Sequence, residues 1–313
     1  MKVNIQSTSP QFNYQFEVDD TGIIGIYGIS GSGKTSLLRS LAGFQADLRG
    51  KIEFLDSTIL DTENKIYSTV QKCSYMNQDS ILFPHWTVAE NLDFAEIHSR
   101  QESENTSYLV TQLNCHDLLN KYPSQLSGGE KQRVAFIRSL ISARTNQLIL
   151  LDEPFSALDQ DMRAKALEIL NQFRTTHLVF LVTHDINELY HYADELLYIN
   201  NGKIQYQGNI SGAMSDGKFQ LPIASKVLIN NTIQIIYADD VSISLEPLKN
   251  TSIIHQYNVT IIKIDTDKDQ SILKLKTAED QILFAKITSQ SLHKLKLTLN
   301  QKVMANFKAT SFK

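Results

Sequence analysis

Gly28-Ile29-Ser30-Gly31-Ser32-Gly33-Lys34-Thr35-Ser36 is the run of sequence that decides the class of fold. Its three glycines allow the backbone to curl so that successive N–H groups face one phosphate, while Lys34 adds a positive charge. The Thr35 hydroxyl can reach a magnesium ion. An apolar strand, Ile23 to Tyr27, precedes the run, and leucines at helical spacing follow it through Ala42. A strand, a glycine-rich loop and a helix in this order predict a site for a nucleoside triphosphate on an α/β sheet.

Three shorter motifs follow this loop along the chain. They are Leu126-Ser127-Gly128-Gly129-Glu130, Leu150-Leu151-Asp152-Glu153-Pro154 and Thr183-His184-Asp185. The last two each follow an apolar stretch, Gln147 to Leu151 and His177 to Val182, which we predict as central strands. Ligands of open α/β sheets lie at the carboxyl ends of the strands. We therefore expect the polar residues of these two motifs to meet the phosphate loop.

The acidic and histidine motifs carry the chemistry of hydrolysis. Asp152 stands where a carboxylate is expected to hold Mg²⁺, directly or through water. Glu153 is placed to polarise the attacking water as general base. His184 can approach the γ-phosphate and orient both the water and Glu153. Taken alone, the two carboxylates would fit a solvated turn and the histidine a structural role, but the phosphate loop upstream favours catalysis.

The glycine motif predicts the start of a helix that runs from Gly128 to Ala143. Ser127 and Glu130 have the spacing of a capping box. A helix start that carries Gly128 and Gly129 exposes free N–H groups at the positive end of the helix dipole, which makes an anion site without a lysine. Because the chain already has one phosphate loop, a second phosphate site makes sense across an interface between two copies.

The four motifs in this order and spacing resemble the ABC-type ATPases. The resemblance implies a homodimer that sandwiches two ATP molecules, each between Lys34 of one chain and Ser127 of the other. It also identifies Ser156-Ala157-Leu158-Asp159 as the D-loop that lines this interface, with Asp159 near the nucleotide. Gln78, in Tyr75-Met76-Asn77-Gln78-Asp79, resembles the Q-loop glutamine, whose amide can reach Mg²⁺ or the lytic water.

Two further roles come from the same resemblance. In this family an aromatic residue of the N-terminal strands stacks on adenine, and Phe12 is the first candidate and Tyr14 the second, with core packing as the alternative for both. Leu82 to Leu92 (LFPHWTVAENL) resembles the stretch with which importer ATPases grip the coupling helix of their membrane partner. A packed helix start is the alternative there.

Near residue 208 the sequence pattern changes from alternating strands and helices to strands throughout. We expect an ATPase domain over residues 1–208, a small, polar, glycine-containing linker over 209–222, and an all-β domain over 223–313. Asn201-Gly202 predicts a type I′ hairpin just before the linker. The chain carries a net charge of −4, whereas the part beyond residue 222 has twelve Lys against eight acidic residues. The balance gives no indication of nucleic-acid binding, and the apolar runs are far shorter than the ~20 residues of a membrane helix.

The C-terminal part resembles the molybdopterin-type oxyanion-binding module of molybdate importer ATPases, and the resemblance runs nearly end to end of the chain. It rests on Tyr237 to Ser244, Thr251 to Ile253, Ala285 to Ser291 and Val303 to Ser311. One departure matters: the family's Thr-Ser-x-Arg-Asn motif has Ile254 and His255 in place of the arginine and asparagine. The residues left to hold a molybdate or tungstate dianion are Ser252, Lys286, Thr288, Lys308 and Ser311. The alternative is that this C-terminal β domain serves only as a contact between the two subunits of a dimer.

These features lead to one expected fold and function, with several alternative functions. The fold is an α/β P-loop ABC ATPase, with a mainly parallel sheet and a helical subdomain, followed by a small all-β, OB-like domain. The resemblance implies an ATP- and Mg²⁺-dependent homodimer on the cytoplasmic face of the inner membrane, with two integral permease subunits and an extracytoplasmic substrate-binding protein. Rival cargoes are sulfate, tungstate, ferric ion or a sugar. Rivals of another class are a soluble ABC protein and an inert nucleotide-binding regulator.

Overall fold

The structure is a computed structural model that describes residues 1–68, 73–99, 103–143, 147–210, 212–213, 224–229, 232–248, 255–267 and 270–307. Its backbone divides into two compact units, Met1–Ile210 and Ser211–Lys313. Among the described residues, no helix has the length and the apolar character that a membrane crossing needs.

The first unit is built on an eleven-stranded mixed sheet. Its strands are β1 (Lys2–Thr8), β2 (Gln11–Glu17), β3 (Gly22–Tyr27), β4 (Arg49–Phe54), β5 (Ser57–Asp61), β6 (Ile66–Tyr67), β7 (Cys73–Met76), β8 (Leu148–Asp152), β9 (Leu178–Val182), β10 (Glu195–Asn200) and β11 (Lys203–Gly208). They lie in the order β6-β5-β4-β1-β2-β11-β10-β3-β9-β8-β7. The run β10-β3-β9-β8-β7 is parallel, whereas β6-β5-β4-β1-β2 is antiparallel. The sequence predicts a mainly parallel sheet, whereas in the structure the half of the sheet that carries the motifs is parallel and the other half is mostly antiparallel.

The parallel strands are buried because helices cover them. The helices of this unit are α1 (Lys34–Leu41), α2 (Val88–Ser99), α3 (Ser103–Gln112), α4 (Gly128–Ser142), α5 (Gln160–Phe173) and α6 (Ile186–Tyr192). Every residue of β8 and of β9 is buried, as expected of strands covered on both faces. The predicted hairpin is confirmed: β10 pairs antiparallel with β11, and Asn201 and Gly202 both have positive φ.

Register in the parallel half brings four loops to one edge of the sheet. Val182 pairs with Ile26 of β3 and with Asp152 of β8, while Met76 of β7 pairs with Leu151. Because these strands run in the same direction, they end at the same level. The phosphate loop and the residues that follow Met76, Asp152 and Val182 therefore emerge side by side, as the sequence predicts.

The second unit is mostly β structure. A hairpin is formed by β12 (Ala224–Ile229) and β13 (Thr232–Tyr237). A five-stranded sheet has the order β14-β18-β15-β16-β17, formed by β14 (Ser242–Ser244), β15 (His255–Asp267), β16 (Gln270–Thr277), β17 (Ile282–Thr288) and β18 (Lys302–Phe307). One helix, α7 (Ser289–Lys294), follows β17. The core of this unit is apolar, with Ile261, Leu273 and Leu283 fully buried. The sheet fits the expected all-β, OB-like domain.

Candidate nucleotide-hydrolysis site

The phosphate loop joins β3 to α1 and has the conformation that its glycines allow. Gly33 has φ 111°, and a Cβ atom there would lie 2.3 Å from Tyr14 Oη. Lys34 Nζ donates to the carbonyls of Gly28, at 2.8 Å, and Ile29, at 3.0 Å, so the amine is held inside the loop. Burial lowers the pKa of Lys34, and the carboxylates of Glu153 and Asp152 oppose that shift.

Neighbouring elements hold this loop from two sides. The Gly202 N–H of the β10–β11 hairpin donates to the Ser32 carbonyl at 2.9 Å, and Tyr14 Oη donates to the Gly33 carbonyl at 2.9 Å. A Cβ atom on Gly28 would lie 2.2 Å from the Ile199 carbonyl. The loop tip stays open, because Ile29, Ser30 and Gly31 are exposed. Thr35 is also exposed and Ser36 is half-buried.

The two aromatic residues expected at adenine are core residues in this structure. Phe12 is 4% exposed and Tyr14 is fully buried, and their rings stack on each other with centroids 4.6 Å apart. Burial also raises the pKa of the Tyr14 hydroxyl. Neither ring presents an open face, so this arrangement favours the alternative of core packing. The adenine-stacking role stays a prediction without structural support.

Asp152 fits the requirements of a Mg²⁺ ligand. It ends β8 and is 1% exposed. Burial is the main cause of its raised pKa, and Thr35 and Lys34 oppose the shift. Among the described residues, no hydrogen-bond partner reaches its buried Oδ2 atom. A carboxylate oxygen next to a hydroxyl is the hard donor set that Mg²⁺ prefers.

The side chains of Glu153, His184 and Gln78 meet beside Asp152. His184 Nε2 lies 2.5 Å from Glu153 Oε1, and Gln78 Nε2 lies 3.4 Å from Glu153 Oε2. Glu153 has φ 52°, a left-handed conformation that is strained for a non-glycine residue. Its N–H donates to the Val182 carbonyl at 3.0 Å. The structure thus brings together the three residues that the sequence predicts as catalytic.

Two residues that sequence reasoning missed hold the loop after Glu153. The first is Gln132 of α4, which is 3% exposed. Its Nε2 donates to the Glu153 carbonyl at 3.1 Å and to Ser156 Oγ at 3.0 Å, and its Oε1 accepts the Ala157 N–H at 2.7 Å. A long polar side chain on the buried face of a predicted helix was the signal that could have found it.

The second is Arg163 of α5. Its Nη2 donates to the carbonyls of Phe155, at 3.2 Å, and Leu158, at 3.5 Å, and its Nε lies 3.5 Å from Oε1 of the buried Glu188. Glu188 Oε2 accepts a hydrogen bond from Thr183 Oγ1 at 2.6 Å. Arg163 therefore connects the loop after Glu153 with the residue before His184.

The start of α4 has the predicted capping box. The Glu130 N–H donates to Ser127 Oγ at 3.3 Å, and Glu130 Oε2 accepts the Ser127 N–H at 2.7 Å, which lowers the pKa of Glu130. A Cβ atom on Gly128 would meet nothing within 4 Å, whereas one on Gly129 would lie 2.8 Å from the Ala157 carbonyl. Asp159 caps α5, since its Oδ1 accepts the Met162 N–H at 2.9 Å. Its expected place near a nucleotide remains a prediction.

Phe83 and Trp86, from the stretch predicted to dock a membrane partner (Leu82 to Leu92), form an aromatic cluster with Phe94, which lies just beyond that stretch. Ring centroids in this cluster are 4.7 to 5.3 Å apart, and Phe83 remains 41% exposed. Arg138 of α4 lies over the Phe83 ring, with Cζ 5.4 Å from the centroid, and its Nη1 donates to Asn91 Oδ1 at 3.3 Å. The cluster is therefore both packed and partly open.

The oxyanion residues predicted for the second unit receive less support. Lys286 Nζ lies 3.0 Å from Asp239 Oδ1, and Thr288 Oγ1 caps α7 by accepting the Ser291 N–H at 3.1 Å. Each of these side chains thus already has a local partner. Ser252, Lys308 and Ser311 lie outside the described residues. The oxyanion site stays a prediction.

Comparison with known proteins agrees with this geometry. A family model described as ABC transporter matches residues 12–156, and a model of the TOBE domain matches residues 251–313. An ATP-binding cassette solved as a dimer with ADP and phosphate superposes with a TM-score of 0.55 at 24% identity, covering 63% of this chain and 89% of that one. A cassette subunit from Clostridium perfringens gives a TM-score of 0.56 at 21% identity, covering 69% and 90% of the two chains. These likenesses concern the fold.

Sequence relatives define the family more narrowly. The chain is 34% identical to the molybdenum import ATP-binding protein ModC of Saccharophagus degradans, over 94% of each chain. It is 31% identical to the protein of that name from Mannheimia succiniciproducens, over 99% of each, and 29% identical to that of Haemophilus influenzae, again over 99% of each. The chain therefore belongs to the ABC transporter ATPases and, among them, to the family of molybdenum import ATP-binding proteins.

Proposed function

We propose that this chain is the ATP-hydrolysing subunit of an importer that carries molybdate, with tungstate as the closest chemical alternative. One observation carries the catalytic part: Glu153, the residue that follows the buried Asp152, bonds His184 and Gln78 at the sheet edge that also holds Lys34. The cargo is inferred from the relatives, which are molybdenum import ATP-binding proteins and match the chain over almost its whole length.

The residues of the site divide the work of hydrolysis. Loop N–H groups and Lys34 bind the β- and γ-phosphates, and Glu153 accepts a proton from the water that attacks the γ-phosphorus. The bond between that phosphorus and the bridging oxygen breaks, and ADP is the leaving group. His184 holds the Glu153 carboxylate through its short contact. Thr35, Asp152 and Gln78 would hold Mg²⁺, which supplies charge neutralisation on the phosphate oxygens when bound.

The active form is a homodimer with two shared sites. The start of α4 presents the N–H groups of Gly128 and Gly129 at the positive end of its dipole, so it suits a phosphate that is held by another chain's loop. Each ATP then lies between Lys34 of one subunit and Ser127 of the other. Closure of the dimer on ATP, followed by reopening after hydrolysis, is the movement available for transport.

The remaining partners follow from the importer function. Two permease subunits span the inner membrane, and the cluster of Phe83, Trp86 and Phe94 receives a helix of the permease on the cytoplasmic face. A substrate-binding protein outside the membrane delivers the oxyanion. The second unit senses cytoplasmic molybdate or tungstate and slows the ATPase when the supply is sufficient.

Transport by the complete complex tests the proposal. The chain is reconstituted in proteoliposomes with its proposed permease subunits and binding protein, and ATP-driven uptake of molybdate, tungstate, sulfate and phosphate is measured. We expect uptake of the two larger oxyanions, lost in Glu153→Gln. Uptake of sulfate alone would assign a different cargo, and no ATP-dependent uptake with an active ATPase would contradict the importer function.

A further inference from the structure

A single buried side chain ties the signature helix α4 to the loop that carries the base. Gln132 lies on the second turn of α4, and the three hydrogen bonds of its side chain to described residues all go to residues 153–157. It donates to the Glu153 carbonyl and to Ser156, and it accepts from Ala157. Because the side chain is 3% exposed, water does not replace these partners when one is removed.

The backbone of Glu153 needs such support. Its φ of 52° is strained for a residue with a Cβ atom. The Glu153 N–H is fixed by the Val182 carbonyl. The Glu153 carbonyl accepts from Gln132 Nε2 at 3.1 Å and from the Ser156 N–H at 3.4 Å. With both peptide groups held, the side chain is directed toward His184 and Gln78. Removal of the Gln132 donor leaves the Glu153 carbonyl with the longer bond from the Ser156 N–H and allows the carboxylate to turn away.

The same helix contacts the loop a second time, nearer its N-terminus. Gly129 approaches so closely that a Cβ atom would lie 2.8 Å from the Ala157 carbonyl. The helix start and the loop are thus joined at two levels, one turn apart. A shift of the helix start on engaging a phosphate is therefore carried into the loop that holds Glu153.

We propose that Gln132 is a positioning residue that aligns the general base Glu153 with the signature helix α4. In the dimer, the position of Glu153 in one subunit then depends on how α4 of that same subunit contacts the nucleotide bound to its partner. The inference rests on the proposed homodimer. It assigns to Gln132 no contact with ATP, and its effect is on catalysis rather than on nucleotide binding.

Two substitutions separate the donor from the acceptor function of this side chain. Gln132→Glu keeps an acceptor for the Ala157 N–H but removes the donor to Glu153, and Gln132→Met removes both at similar length. Ser139→Ala is the matched control, because Ser139 is a buried polar residue of the same helix whose Oγ donates to the Phe136 carbonyl at 2.7 Å. This variant shows how much stability is lost when α4 loses one side-chain hydrogen bond, while the loop of residues 153–157 keeps its contacts.

Steady-state hydrolysis, ATP affinity and ATP-dependent dimerisation are measured on the full-length chain for each variant. We expect kcat to fall about tenfold or more in both Gln132 variants, while ATP affinity and dimerisation stay within about twofold of wild type. Ser139→Ala should keep its kcat even where its melting temperature falls.

The inference is overturned by a wild-type kcat in both Gln132 variants, or by ATP affinity that falls in parallel with kcat. Failure of the proposed function has a different signature. In that case the unmodified chain itself would show no ATP-dependent dimer, or Glu153→Gln would hydrolyse ATP at the wild-type rate.

Discussion

In the unit from Met1 to Ile210, polar residues that follow different strands bond one another, whereas in the unit from Ser211 to Lys313 the two described residues predicted to bind a ligand, Lys286 and Thr288, have local partners. Glu153, His184 and Gln78 come from three separate loops and meet at one point. Thr288, by contrast, caps the helix that follows it. The difference indicates that a site is recognised by contacts between elements, and less by the residue types that a motif contains.

Loss of the general base is the most severe test of the first unit. We expect Glu153→Gln to lower the rate of hydrolysis by about 10²–10⁴-fold, because the amide cannot accept the proton of the attacking water. Lys34 and the loop N–H groups are untouched, so ATP binding should persist. Sedimentation with ATP should then show a stable dimer. Hydrolysis near the wild-type rate would remove Glu153 from the role of base.

A charge at the start of α4 tests whether the site is shared between chains. We expect Ser127→Arg to lower hydrolysis about a hundredfold while each monomer still binds ATP, since this helix serves the partner's nucleotide and the bulky side chain blocks the approach. Nucleotide binding to the monomer is measured by fluorescence titration. Loss of ATP binding in the monomer would show that Ser127 acts on its own chain's nucleotide.

A mixture with Lys34→Ala extends this test. In a mixed dimer of the two variants, one site carries both defects and the other carries neither. We therefore expect part of the activity to return on mixing, in proportion to the mixed dimers that form. Activity that stays at the level of the separate variants, in dimers verified to be mixed, would contradict two independent shared sites.

The catalytic side chains were predictable from the sequence because each follows an apolar strand and carries a recognisable motif. Gln132 and Arg163 were not, since most of their partners lie in the loop of residues 153–158, whose path no pattern encodes. Phe12 is an instructive case. The alternation of β2 places Phe12 and Tyr14 on one buried face, so the period of two already favoured core packing over adenine stacking.

The link between the two loops predicts a smaller effect on catalysis. We expect Arg163→Met to lower kcat about tenfold, because the loop after Glu153 and the loop of His184 lose their common partner. Stability should also fall, since Glu188 is left buried without its cation. Hydrolysis and thermal melting are measured together.

Two further variants separate rate from stability. Adding Glu188→Gln removes the unpaired charge, so the double variant should regain stability without regaining rate. Arg174→Met is the control, because Arg174 pairs with Asp194 away from the site and should leave kcat unchanged. A double variant that recovers both quantities would reduce Arg163 to a structural role.

The smallest effects are expected in the second unit, and they test whether its polar residues form a ligand site as those of the first unit do. If Lys286 contributes to an oxyanion site, Lys286→Ala should weaken binding of molybdate to the full-length chain by a few fold, as expected for one partly exposed charge that already pairs with Asp239. Thr288→Ala should instead lower the stability of this unit by about 1 kcal/mol through the lost helix cap. Calorimetry with molybdate, tungstate, sulfate and phosphate distinguishes these outcomes, and a preference for the two larger anions supports sensing. No heat with any of the four, at millimolar concentration, would leave this unit without an oxyanion site and make the contrast between the two units complete.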